Sequence, residues 1–321
     1  MAARKLILDV DTGTDDAVAI MFAALHPDLD LIAVTTVNGN VPLENTTDNT
    51  LRVLDWIGRT EVPVHPGLSR PIARPGRLDS IHARRDLPGD VHGRTLPLPA
   101  TNLAHHDVGA VEYLVETLRS TTEQLTLVAV GPLSNVATAV TIAPALVDSV
   151  DELVVMGGAH AIANTTASAE FNVWVDPEAA HIVLSSGFER LTLVPLDATY
   201  QALFTRAHGA AFDGLGTRAG VAAARLLQHR LDAQDATTKA EGTPIHDVVC
   251  PASLVRPEVV TTQHLHVDVE TASPLTVGRT VMDLRPDTRA VPNAHVAVRA
   301  DRDLLVELLM STFAIPSRPR S

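Results

Sequence analysis

The short apolar run Leu6 to Val10 carries an acid, Asp9, and is followed at once by Asp11, Thr12, Gly13, Thr14, Asp15 and Asp16. Such a run reads as a buried parallel strand, ended by the tight turn that Gly13 allows. The residues from Ala17 to Leu25 then read as a helix. Asp15 and Asp16 fall at its start, where free backbone N–H groups favour acids. Asp9 and Asp11 have no such explanation. Placed at the strand end, they crowd negative charge into one crevice, which is costly unless a cation sits among them. A hard divalent cation with oxygen ligands removes that cost. The competing reading is surface acids combined with helix caps.

The same grammar repeats along the chain. Leu29 to Val37 reads as a second strand ending in Asn38-Gly39-Asn40, followed by a helix from Pro42 to Gly58 and a brief strand, Val62 to His65. After a helix over Asp107 to Ser120 come strands Leu125 to Val130, stopped at Gly131-Pro132, and Asp151 to Met156, stopped at Gly157-Gly158. Asp176-Pro177 has the form of a helix start, and Leu191 to Leu196 closes the alternation. Strands and helices alternating over short joints predict a parallel sheet with right-handed crossovers. Ligands bind such sheets beyond the carboxyl ends of the strands, which places Asp9, Asp11 and Asn40 at that edge.

Farther on, Phe204 to Leu231 reads as helical, Thr243 to Asp247 as the opening of another helix, and Leu265 to Val298 as alternating antiparallel strands. A final helix is expected near Leu304 to Phe313. The fold class is therefore α/β: an open, mostly parallel, Rossmann-like sheet flanked by helices, with a C-terminal helical and antiparallel elaboration. No linker or repeat interrupts it, so residues 1–321 are expected to form a single domain. Two stretches lack periodicity. Residues 68–106 hold six arginines and five prolines and read equally well as a lid or a surface loop. Residues 158–176 contain Asn164, Glu170, Phe171 and Asn172.

Composition narrows the function. A net charge of −13 disfavours nucleic acid and anionic membranes as partners. The one cysteine, Cys250, excludes internal disulfides and cysteine-rich zinc sites and reads as a small buried hydrophobe. Leu125 to Val147 carries no charge and is long enough to span a bilayer, but Gly131-Pro132, Asn135 and Pro144 break it. The short N-terminus before the acidic strand does not form a secretory signal, so a cytoplasmic location is expected. His264 and His266 share a strand face without a third zinc ligand. His105 and His106 are expected to be exposed, and Trp56 and Trp174 to pack.

Motif tests separate the remaining readings. Counted as an EF-hand loop from Asp9, the sixth and twelfth positions hold Thr14 and Ile20 instead of Gly and Glu. Neither a dinucleotide fingerprint nor a phosphate-binding P-loop is present. Asp-x-Asp followed by Thr-Gly-Thr suggests a magnesium-dependent haloacid dehalogenase-like phosphatase, but that leaves the pair Asp15-Asp16 unexplained. The chain more closely resembles the inosine-uridine nucleoside hydrolase family. The signature Asp-x-Asp-x-Gly-x-Asp-Asp-Ala is met by Asp9, Asp11, Gly13, Asp15, Asp16 and Ala17. It is followed in family order by Val34 to Asn40, Val128 to Asn135, Met156-Gly157-Gly158, Glu170-Phe171-Asn172 with Asp176-Pro177, and Pro244-Ile245-His246-Asp247.

That resemblance implies a calcium ion held by Asp11, Asp16, Asp247 and the backbone carbonyl of Val130. It implies that Asp15, Asn164, Glu170 and Asn172 hold the ribose hydroxyls, that Met156 joins the substrate-binding set, and that Asn40 lies near the attacked carbon. His246 would serve the departing base, although taken alone it reads more readily as a helix-capping residue. His92 would lie near the base pocket, where the family's Gly-Leu-Gly is replaced by Leu96-Pro97-Leu98. A small-molecule ribonucleoside substrate and a homodimer or homotetramer are also implied. The chemistry is coherent. Cleaving an N-ribosidic bond makes the sugar carbon cationic, and calcium can align a water with the ribose diol while Asp11 acts as general base. A non-catalytic nucleoside- or ribose-binding protein is the rival from another class.

Overall fold

A computed structural model describes residues 3–87, 89–235 and 241–316. Strands β1 (Arg4–Val10), β2 (Leu29–Thr36), β3 (Val64–Pro66), β4 (Leu125–Ala129), β5 (Val150–Met156) and β6 (Leu191–Val194) follow the expected alternation. A two-residue pair, β7 (Leu203–Phe204) and β8 (Thr243–Pro244), comes next. It precedes β9 (Val260–Leu265), β10 (Val267–Val269), β11 (Thr280–Met282) and β12 (Ala294–Ala300). The main sheet has eight strands in the order β3-β2-β1-β4-β5-β6-β12-β9. Every neighbouring pair is parallel except β12 with β9. The expected α/β class with a mostly parallel sheet is what the chain adopts.

Strand order reverses direction between β1 and β4, the switch point at which a crevice opens beyond the carboxyl ends of a parallel sheet. In register, Asp9 faces Thr35 on one side and Ala129 on the other, and Ala129 faces Val155. The residues just past these strands, Asp11, Asn38 to Asn40, Val130 and Gly157-Gly158, therefore emerge side by side.

Side chains alternate across β1. Leu6, Leu8 and Val10 join the core that includes helices Thr14–Leu25, Leu43–Ile57, Arg218–Asp235, Val249–Val255 and Arg302–Phe313. Ile7 joins the opposite core, with helices Ala110–Ser120, Ser134–Ile142 and Pro177–Ser185. Helix Thr14–Leu25 is buried from Thr14 to Ala24, which explains its apolar sequence on all sides. Helix Leu43–Ile57 stops at Gly58, whose φ of 73° suits glycine.

Several details differ from the sequence reading. The expected helix at Thr243 begins only at Val249, because Thr243 and Pro244 pair with Phe204 and Leu203. His246 and Asp247 are left in the turn. The long helical stretch after Phe204 is two helices, Arg206–Gly214 and Arg218–Asp235, separated at Gly216 with φ 66°. The C-terminal strands do not form one antiparallel group. β12 runs parallel to β6 within the main sheet, and only β10 and β11 form a separate ribbon; alternation cannot tell these partners apart. The charge-free segment after Leu125 divides into β4, a turn and helix Ser134–Ile142. Among the described residues no helix is long and apolar enough to cross a membrane. Cys250 is buried, His105 and His106 are exposed, and the His264 ring stacks on His295 across β9 and β12.

Candidate active site

A cavity of about 710 Å³ opens at the switch point, with Asp11, Asp15, Asn40, Val130 and Asp247 in its lining. The turn after β1 folds onto itself. Asp16 Oδ1 accepts the Asp11 N–H at 3.1 Å, and its Oδ2 accepts the Gly13 N–H at 2.9 Å and Asn40 Nδ2 at 3.2 Å. The Asn40 N–H donates to Asp11 Oδ2 at 2.6 Å. Glycine is needed at position 39, since a Cβ there would lie 2.0 Å from Asp11 Oδ2. Asp247 enters from the turn after β8. One oxygen each from Asp15, Asp16 and Asp247 lies within 4.8 Å of the others.

Burial is the main force on these acids. It pushes Asp11 well above the usual carboxylate range, helped by repulsion from Asp16. It raises Asp247 likewise, with Asp15, Asp16 and Asp11 adding to the effect, and Asp16 to about 6. Asp15 is the exception. Burial opposes its ionisation, but Arg230, His92 and His246 together hold it below the usual value. Arg230 Nη1 lies 3.0 Å from Asp15 Oδ1, and His92 Nδ1 lies 3.7 Å from the same oxygen. Buried oxygens that repel one another are a donor set suited to a hard divalent cation. The carboxylates that meet this closely are those of Asp15, Asp16 and Asp247, with Asp11 and Val130 in the lining of the same cavity.

Asp9 does not belong to this group. It lies on the other face of β1, where Thr35 Oγ1 and Asn135 Nδ2 (2.8 Å) donate to its Oδ1. Burial raises it to about 7. Asn135 also donates to the Thr36 carbonyl and accepts the Leu68 N–H, so Asp9 anchors the start of the long segment to the sheet. The expected crowding of Asp9 into the crevice is corrected: Asp9 lies on the same side of β1 as Ile7. Because the strand ends at Val10, it is the turn that carries Asp11 into the cavity.

The opposite wall comes from β5 and the loop after it. Glu170 caps helix Phe171–Val175, accepting N–H groups from Asn172 (2.8 Å), Gly158 (2.8 Å) and Val173 (3.1 Å). Burial raises its carboxyl to about 7 against those bonds. Asn172 Nδ2 donates to the Val130 carbonyl at 2.7 Å and to the Met156 carbonyl at 3.2 Å. It thereby ties the ends of β4 and β5 together. Met156 lines the cavity beside it, and Asn164 is exposed at the rim. His246 Nδ1 is 2.7 Å from Thr199 Oγ1, and its ring meets Tyr200 edge-on. Burial lowers His246 to about 4 and His92 to about 3. His92 Nδ1 accepts the Thr14 N–H at 3.3 Å.

Comparison with known proteins decides the lineage. The family profile described as inosine-uridine preferring nucleoside hydrolase matches residues 6–307. The chain belongs to that family. A pyrimidine-specific ribonucleoside hydrolase RihB of Escherichia coli O17:K52:H18 is 39% identical over 304 residues, covering 94% of this chain and 95% of the relative. Among solved structures, a purine-preferring ribonucleoside hydrolase from Gardnerella vaginalis superimposes with a TM-score of 0.84 at 31% identity, covering 97% of this chain and 98% of that one. A plant nucleoside hydrolase, PpNRh1, gives 0.86 at 28% identity, covering 98% and 99%.

The protein is thus a nucleoside hydrolase, an enzyme cleaving the N-glycosidic bond of nucleosides, and the phosphatase reading falls. In this hydrolase the aperiodic segment 68–106 forms a wall of the site: Ile81, Arg85, Val91 and His92 face the cavity. Arg85 pairs with Asp90 at 2.6 Å and donates to the Asn40 carbonyl, while His82 Nε2 lies 2.9 Å from the Gly39 carbonyl. Leu96 and Leu98, which depart from the family pattern, are buried in the core. Sequence reasoning did not single out Arg85, Thr199, Tyr200 or Arg230. Of these, Arg230 left a faint signal, as a charge placed one helical turn after Leu226 and Leu227 on the apolar face of its helix.

Proposed function

We propose that this hydrolase binds calcium and converts ribonucleosides, pyrimidine ribonucleosides foremost, to free base and ribose. The observation that carries the reading is the grouping of oxygens from Asp15, Asp16 and Asp247 within 4.8 Å of one another at a cavity that Asp11, Val130, Glu170 and Asn172 also line. Of these, we take Asp11, Asp16 and Asp247 with the Val130 carbonyl as the calcium ligands. The pyrimidine preference is supported by the 39% identity to a relative named pyrimidine-specific. Calcium bound there would align a water and the ribose diol and make the water more acidic.

The protein's own groups do the rest. Asp11 takes the proton of the attacking water, its buried carboxyl being raised toward the basicity such a role requires. Asp15, held anionic by Arg230, accepts from a ribose hydroxyl. Asn164, Glu170 and Asn172 fix the other hydroxyls, Met156 packs against the sugar, and Asn40 stands beside the attacked carbon. These contacts hold water and carbon in line. His92 and His246 flank the base, with His246 serving it as it leaves. We further propose that the chain acts as one domain, in a cytoplasmic homodimer or homotetramer.

Ribose release from uridine, cytidine, inosine and adenosine tests the reading. Uridine and cytidine should be cleaved with the highest kcat/KM. A nucleoside that binds without releasing ribose would favour the non-catalytic alternative.

A further inference from the structure

Resting on that reading, we propose that Arg230 is a further catalytic residue: its guanidinium contacts the base carbonyl beside the glycosidic nitrogen and stabilises the negative charge of the departing pyrimidine. Arg230 sits near the end of helix Arg218–Asp235, is only 5% exposed, and lines the cavity. Nη1 is anchored, donating to Thr14 Oγ1 at 2.9 Å and pairing with Asp15 at 3.0 Å. Nε is buried and finds no acceptor among the described residues. A buried donor left unmatched in a substrate cavity is costly unless the substrate completes it.

The chemistry supplies the acceptor. When the bond between the sugar carbon and N1 breaks, its electron pair leaves with the base and spreads onto O2. The water oxygen bonds to the sugar carbon, its proton passes to Asp11, and the base finally regains one proton. In a ribonucleoside with the base turned away from the sugar, O2 lies on the side of the 2′-hydroxyl. A guanidinium fixed to Asp15, the partner proposed for a ribose hydroxyl, is therefore next to O2. Of the two arginines that line the cavity, Arg85 is paired with Asp90 and donates to the Asn40 carbonyl, whereas Arg230 is the one fixed to Asp15, and its charge is permanent. A fixed charge in a dry site acts strongly on charge that develops in the transition state.

The bland alternative is that Arg230 only neutralises Asp15. That role would affect every riboside equally, because Asp15 acts on the sugar. The two roles separate on leaving groups. We expect Arg230→Gln to lower kcat/KM on uridine by about 10²–10³-fold. On 4-nitrophenyl β-ribofuranoside, whose phenolate needs little help, the loss should be about tenfold or less. Arg230→Lys, which keeps a charge but cannot hold Asp15 and the base together, should show the same ordering with smaller losses. It also provides the comparison should the glutamine variant fail to fold, as checked by circular dichroism. Equal losses on both substrates in the folded variants would overturn the proposal. Failure of the parent enzyme to release ribose from uridine would instead refute the underlying reading of the site.

Discussion

Thr199 Oγ1 lies 2.7 Å from His246 Nδ1, and both residues are buried. The hydroxyl fixes the ring so that its other nitrogen is available to the cavity. Thr199→Val keeps the shape and removes the bond, leaving a buried ring nitrogen unmatched at a cost of about 1–3 kcal/mol. We expect kcat on uridine to fall about tenfold or more, with KM nearly unchanged. His246→Ala should slow uridine by about 10²–10⁴-fold and 4-nitrophenyl riboside far less. Unchanged kinetics in the valine variant would remove Thr199 from any orienting role.

Asp11→Asn should preserve the fold and lose about 10²–10⁴ in rate, the usual contribution of a general base. Circular dichroism establishes folding, and ribose release gives the rate. A folded variant within a few-fold of the parent would show that another group takes the proton.

Elemental analysis of protein purified without chelator should find one calcium per chain. Removing it should lower the melting temperature, since Asp11, Asp16 and Asp247 are buried acids that then repel one another unscreened. Full occupancy by zinc or iron, with calcium absent, contradicts the assignment.

Ribose should be required. A site that holds both diol oxygens leaves buried polar groups unmatched when one is missing, and such sites discriminate by roughly 10⁴. Comparable kcat/KM for uridine and 2′-deoxyuridine would contradict the role given to Asp15.

Acid stability gives a check away from the site. His65 stacks on Tyr113 at 3.9 Å, its Nδ1 lies 2.8 Å from the Val108 carbonyl, and its buried Nε2 has no hydrogen-bond partner among the described residues. Burial lowers its pKa below the usual value. The unfolded chain therefore takes the proton first as pH falls. The contribution of His65 to stability is full above about 6.5 and is lost as pH drops below it. His65→Phe should be less stable at pH 7.5 through the lost bond, yet lose less stability than the parent between pH 7.5 and pH 5. Denaturant titrations at the two pH values measure the difference. An identical pH dependence in both proteins would show that His65 titrates normally.

The sequence alone determined the local pieces of this site. Apolar runs ending in Asp11, Asn40, Val130 and Gly158 are local patterns, and short joints between such runs allow little but a parallel sheet with those ends aligned. Asp176 capping the helix that begins at Pro177 was equally legible, because a cap is made within one turn. Partners distant in sequence were not. The side of β1 that Asp9 faces, the seat of β12 beside β6, and the bond between Thr199 and His246 depend on which surfaces meet. Arg230 and Thr14 are 216 residues apart. Periodicity shows that one face of helix Arg218–Asp235 is buried, but only its packing against helix Thr14–Leu25 brings the guanidinium to Asp15. That choice belongs to the tertiary structure because burial is non-directional, whereas an ion pair requires one particular neighbour.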